Sequence, residues 1–153
     1  MSAPSHAGNI ILNLAGLPEF LRKPILKKRM TEFFSMNQED KKEIINNALE
    51  DGPTLQFDKF STLFKTWLEI LSNLTEEQRT DMFSSYINEI TSHPEKLIAF
   101  NLDGIFEIYI SLPTEQRSIL SSTLKEIIKK LDDKETKKLN LIIPDSAKNE
   151  IGI

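Results

Sequence analysis

Arg22, Lys23, Lys27, Lys28 and Arg29 put five positive charges in eight residues, with Glu19 and Glu32 the nearest countercharges. On a helix Arg22 and Arg29 stand seven apart and Lys23 and Lys27 four apart, so much of this charge shares one side. The chemistry such a cluster offers is anion binding: an acidic protein, an anionic lipid surface or a phosphate-rich polymer. Nucleic acid is the poorer fit. Phe20, Phe33 and Phe34 are the only aromatics nearby, and they fall in the phase of a core stripe instead of interleaving with the cations. The ordinary alternative is a solvated face that offsets a chain of net charge −4.

Other reactive residue types are present without the arrangements that catalysis needs. Glu89 and His93, four apart, are a pair of metal-ligand types, but two ligands do not make a centre and His6 is the other histidine. Ser84, Ser85, Ser121 and Ser122 stand in no pattern with His or Lys that would activate a hydroxyl. The carboxylate pairs Glu76–Glu77 and Asp132–Asp133 are adjacent in sequence. On a helix they diverge by about 100° and cannot share a substrate atom. No two of the five glycines are closer than eight residues, so there is no phosphate-cradling loop. The chain has no cysteine, which removes disulfides, cysteine-ligated zinc, iron–sulfur clusters and thiol catalysis together. No catalytic, metal or cofactor-binding residue is assigned, no cofactor is expected, and the chain is read as non-enzymatic.

The elements that carry these residues read as helices. At 153 residues, 39% of them apolar, the chain has the length and composition of one globular domain. It contains no valine, and its isoleucines sit mostly at helical spacing, so the fold class is all-α. Phe57, Phe60, Phe64, Trp67, Leu71 and Leu74 form one helical stripe, which makes Trp67 a core residue. Met82, Phe83, Tyr86, Ile87 and Ile90 form the next. Between them Thr75 and Gln78 have the spacing of a capping box, and Glu76 and Glu77 suit the positive end of the helix dipole. Asn73-Leu74-Thr75 is therefore read as cap chemistry and not as a glycosylation acceptor.

The run Leu74–Arg79 recurs as Leu112–Arg117, 38 positions later, and Met36–Lys41 has the same residue types 38 positions earlier. Residues 60–90 and 98–128 share eight identities in 31 positions. Each copy reads as a helical hairpin, with breakers at Asp51-Gly52-Pro53 and Ser92-His93-Pro94. Helices are expected near 9–16, 18–35, 38–50, 56–72, 76–91, 95–110 and 114–131, with Pro24 starting or kinking one and Asp103-Gly104 splitting the sixth of these.

Hairpins of this length resemble the α-solenoid repeats of the HEAT and armadillo kind. Leu112-Pro-Thr-Glu-Gln-Arg117 also resembles turns in the helical cytosolic domain of magnesium-transporter proteins and in flagellar-motor switch proteins. The resemblance covers residues 18–131 as architecture and carries over no functional residue. It implies three αα-hairpins stacked as a short right-handed solenoid with an N-terminal capping helix.

The organisation expected is an N-terminal segment 1–17, a helical-repeat domain 18–131, and a charged linker with an apolar tail at 132–153. Leu139–Ile143 reads as a strand-like segment folding back on the last hairpin, and Ser146–Ile153 as a frayed end. Met1–Gly8 lacks a basic leader, and Ile10–Leu17 is too short to span a bilayer, so a cytoplasmic location is expected. The function expected is a protein-interaction module whose partner is another protein. The alternative is a peripheral binder of an anionic surface through residues 22–29. Oligomeric state is not legible in the sequence.

Overall fold

A computed structural model describes residue 11 and residues 13–151 of the chain, and every regular element among them is helical. His6, the start of the apolar stretch 10–17 and the last two residues lie outside the described residues. After a helical turn at 13–15 come α1 (Glu19–Phe33), α2 (Gln38–Asp51), a 3-10 turn (Gly52–Thr54), α3 (Phe57–Asn73) and α4 (Glu76–Ser92). They are followed by α5 (Pro94–Ile98), α6 (Leu102–Ile110), α7 (Thr114–Lys129), α8 (Asp133–Ile142) and α9 (Asp145–Ile151). Starting points at Glu19, Gln38, Phe57, Glu76, Thr114 and Asp133 follow a nineteen-residue spacing, and Pro94 falls one residue short of it.

Local chemistry sets several of these starts. Thr75 accepts from the Gln78 amide at 3.1 Å while Gln78 accepts from the Thr75 amide at 3.1 Å, the reciprocal box expected from their spacing. Asn37 accepts from the Asp40 amide at 2.8 Å and Asp132 from the Glu135 amide at 2.7 Å. At α7 the N-cap is Pro113, which has no amide to offer back to Gln116. The Gln116 side-chain oxygen is accordingly buried without a hydrogen-bond partner.

With α5 and α6 counted as one, helices pack mainly on the helix two places along: α1 on α3, α2 on α4, and α3 on α6. Further along, α4 and α3 both lie against α7, α5 against α8, and α9 against α7. One apolar cluster runs through most of them, from Leu14 and Met30 through Ile45, Leu71 and Leu120 to Leu139. Polar links bridge the same pairs. Lys41 on α2 donates to Asp81 on α4 at 2.9 Å, and Asn46 on α2 donates to the buried Glu89 on α4 at 2.7 Å. Lys138 on α8 donates to the Thr91 carbonyl of α4 at 3.0 Å.

Two expectations are corrected. The helix expected over 95–110 is split into two, but the break falls at 99–101, ahead of Asp103-Gly104. Asn101 caps α6 by accepting from the Gly104 amide at 3.0 Å. Gly104 is needed for space: a Cβ there would lie 2.4 Å from the Phe57 ring tip and 2.7 Å from the Asn101 amide nitrogen. Phe57 is partly exposed and can yield, but Asn101 is held by its capping bond. Gly104→Ala should therefore destabilise by about 1–2 kcal/mol in urea unfolding, with part of the loss recovered in the Phe57→Leu background. The second correction concerns the C-terminus. Residues 139–142 are helical, and the charged run before them is the first part of α8, capped by Asp132. Leu139 and Ala147 are both buried, so α8 and α9 pack on the domain.

Pro24, left open by the sequence, sits inside α1. It removes the amide that would have bonded the Phe20 carbonyl.

The stripe on α3 forms an aromatic row. Phe60 stacks on Phe64 with ring centres 5.4 Å apart, Phe64 on Trp67 at 5.7 Å, and Trp67 meets Tyr86 edge-on at 5.3 Å. Trp67 is thus a packing residue. Burial pushes the Tyr86 hydroxyl up to about 12, because the phenolate loses hydration there. The raised value in the folded state means folding holds the proton more tightly than the unfolded chain does. Stability from this source is complete below about pH 10 and falls as pH rises through 12, by on the order of 2 kcal/mol. Tyr86→Phe should flatten that alkaline loss in stability curves measured from pH 9 to about 12.

Candidate functional site

The basic cluster lies on α1, and the helix distributes its members around its circumference. Leu26, Met30 and Phe33 face the core, and Arg22 joins them, 4% exposed. The Arg22 guanidinium donates to Thr66 Oγ1 on α3 at 3.3 Å and to the Leu17 carbonyl. It caps the preceding turn and bridges to the next helix, so it is unavailable to a ligand. Arg79 does the same three helices later, donating to Thr123 Oγ1 on α7 at 3.2 Å and to the Leu74 carbonyl. A signal for this role exists in the sequence. Leu17 and Arg22 stand five apart, as do Leu74 and Arg79, but the same spacing at Leu112 and Arg117 does not carry the role, since Arg117 donates to the Ile110 carbonyl at 3.1 Å.

Lys23, Lys27, Lys28 and Arg29 are exposed, and Arg29 pairs with Glu32 at 3.1 Å. At about 100° per residue, Lys23 and Lys27 flank one side of α1, Arg29 flanks the other, and Lys28 points directly away from the core. Over residues 20–25 the outward strip between the flanks is apolar. Phe20 is 75% exposed, Leu21 and Ile25 are also exposed, and Pro24 lies among them. Phase alone puts Phe20 in a core stripe, and sequence reasoning misses Leu21 and Ile25 as surface. Together these residues form an apolar ridge ringed by cations, which suits a partner that is itself apolar and acidic.

The remaining candidates are pulled apart or turned inward. Glu89 faces Asn46 between α2 and α4, and Asn46 in turn accepts from Lys96 at 2.8 Å. His93 sits at the end of α4, half exposed and 3.7 Å from Glu95. Among the described residues no three His, Asp or Glu side chains converge as a metal site. Ser121 is buried against the Tyr109 hydroxyl, and Ser85 lies 3.3 Å from Asp81.

A cleft of about 260 Å³ between α1, α3 and α6 is lined by Glu19, Lys65, Glu69 and several hydroxyls. Two of those hydroxyls donate to carbonyls of their own helix, Thr62 to Asp58 and Thr66 to Thr62, both at 2.9 Å. Such a hydroxyl has its proton committed to the backbone. A second cleft of about 290 Å³ runs over the Arg117–Lys125 face of α7 and is lined by three serines between those two cations.

No protein-family model matches the chain, and comparison with curated proteins and with solved structures likewise finds no match. No helix among the described residues is long and apolar enough to cross a membrane.

Proposed function

We propose that this chain is a non-enzymatic protein-interaction module, a scaffold, adaptor or accessory subunit that holds another protein. Its architecture on this reading is a short solenoid of stacked αα-hairpins with a 38-residue period, twice the nineteen-residue spacing of the helix starts. Packing of helices on those two places along, with α5 and α6 counted as one, supports it, while the Arg22–Thr66 and Arg79–Thr123 links, three helices apart, support the nineteen-residue spacing. A cytoplasmic location goes with this reading.

The observation that carries the proposal is the bare ridge of Phe20, Leu21, Pro24 and Ile25 on an end helix. Most side chains of this size are covered elsewhere in the domain, and a ridge left uncovered among cations has the makeup of an interface core and rim. The second reading, an anionic surface held through Lys23, Lys27, Lys28 and Arg29, is favoured by the same exposure.

Affinity capture from the native host separates the two. Wild type is compared with Lys27→Glu/Lys28→Glu/Arg29→Glu, three exposed positions whose reversal leaves the core untouched. A stoichiometric protein recovered with the wild type and lost or weakened with the variant is the expected result. Recovery of no protein, together with vesicle or nucleic-acid binding that collapses at high salt, would replace the first reading by the second.

A further inference from the structure

Corresponding positions along the helices identify what the ridge lacks. The seventh residues of α3, α4, α7 and α8 are Leu63, Met82, Leu120 and Leu139, exposed by 8%, 3%, 0% and 3%. The seventh residue of α1 is Ile25, exposed by 41%. In α2 the same position is Ile44, half-buried. At the tenth position α3, α4 and α7 carry the small hydroxyl residues Thr66, Ser85 and Thr123, while α1 carries the exposed Lys28.

Thr66 and Thr123 each receive the guanidinium of the fourth residue, Arg22 or Arg79, of the helix packed over them. The strip of α3 holding Leu63 and Thr66 is thus the face that α1 covers. The same strip of α1, holding Leu21, Ile25 and Lys28, is the face on which a further helix would lie.

Lys28 decides what kind of helix. At Thr66 and Thr123 this position takes a hydroxyl that receives a cation from the helix above, whereas Ser85 of α4 faces Asp81, and α2 and α8 carry Asn47 and Ile142 there. A cation already standing there repels an arriving Arg or Lys and calls for a carboxylate. Lys23 and Lys27 on one flank extend the same demand along the ridge, while Arg29 on the other is already paired with Glu32. From a second copy of this chain α2, α4 and α7 are poor occupants, since their fourth residues are Lys41, Arg79 and Arg117, and α3 and α8 offer Phe60 and Thr136 there in place of a carboxylate. A membrane is also a poor fit, because the exposed apolar strip spans only residues 20–25, two turns at most, and the rest of the helix is held in the fold.

We propose that the outer face of α1 docks an acidic amphipathic helix of another protein, seated where a preceding helix of the stack would lie. Apolar residues of that helix cover Phe20, Leu21 and Ile25, and a carboxylate in its first turns meets Lys28. This rests on the interaction-module reading and specifies its surface and its partner's chemistry.

The test is a displayed library of amphipathic helical peptides of about 18 residues, long enough to match α1. Their apolar stripe is fixed and their flanking positions are randomised over Asp, Glu, Lys, Arg and Ser. The library is panned on the full chain. Recovered peptides should be enriched in Asp and Glu, should bind at least about tenfold more weakly to Ile25→Asp, and should lose affinity as salt rises from about 0.05 to 0.5 M. Lys28→Glu should turn the enrichment toward Lys and Arg.

Peptides without charge bias, no recovered peptides, or an enrichment unchanged in Lys28→Glu would overturn the docking proposal. So would phosphatidylcholine vesicles containing phosphatidylserine that bind the wild type and not Ile25→Asp. A host partner retained in full by a folded Ile25→Asp variant would remove this face while leaving the interaction-module reading intact. Circular dichroism and melting of each variant exclude unfolding as the cause.

Discussion

Leu120→Ala is expected to cost about 3–5 kcal/mol of folding stability, the upper part of the range for a buried leucine. Leu120 is fully enclosed on α7, the helix against which α3, α4 and α9 all pack. Removing its three outer carbons forfeits their transfer from water and leaves a cavity that three neighbouring helices cannot easily close. The same truncation at the corresponding position of α1, Ile25→Ala, should cost about 1 kcal/mol, since that side chain is 41% exposed and leaves no enclosed cavity. Urea unfolding of the two variants measures the contrast. Near-equal losses would mean that α1 is covered in solution and α7 is not the junction of the packing.

Asp81→Ala should cost about 3 kcal/mol through its partner. Lys41 is the fourth residue of α2, its side chain is 7% exposed, and its ammonium lies 2.9 Å from Asp81 and 5.3 Å from the centre of the Phe33 ring. Removal of the carboxylate leaves a buried charge with only the ring face to offset its lost hydration. The companion variant Asp81→Leu/Lys41→Met should recover most of the loss, because two apolar groups of similar size restore packing without a buried charge. Failure of the double variant to recover would show that geometry around α2 and α4, and not the stranded charge, sets the cost. Equilibrium denaturation of the three variants decides it.

How much of this is legible in the sequence differs from residue to residue. Thr75 and Gln78 announce their helix start because a capping box is local chemistry, complete within four residues. The stripe from Phe57 to Leu74 announces α3 because a 3.6-residue period needs nothing beyond the helix itself. Arg22 reads with the other cations because charge type alone does not reveal direction. Its place is set by Thr66, 44 residues away, and by the carbonyl of Leu17. Phe20 reads as core, and Leu21 and Ile25 draw no notice as surface, because apolar residues are ordinarily covered. Whether a face is covered depends on what packs over it, which the residues of that helix do not encode. Residues 132–142 read as linker and tail because Lys and Asp dominate them. The cap at Asp132 and the burial of Leu139 against the stack outweigh that composition.

The outer face of α1 can be interrogated directly by photo-crosslinking in the native host. A benzophenone-bearing phenylalanine replaces Phe20 in one form of the full chain and Leu141, another strongly exposed apolar residue, in a second. Irradiation should yield one dominant protein adduct from position 20, abolished by Ile25→Asp in the same chain, and no adduct of matching mass from position 141. An adduct only from position 141, or position-20 products confined to lipid, would contradict the assignment of α1 as the protein-docking face.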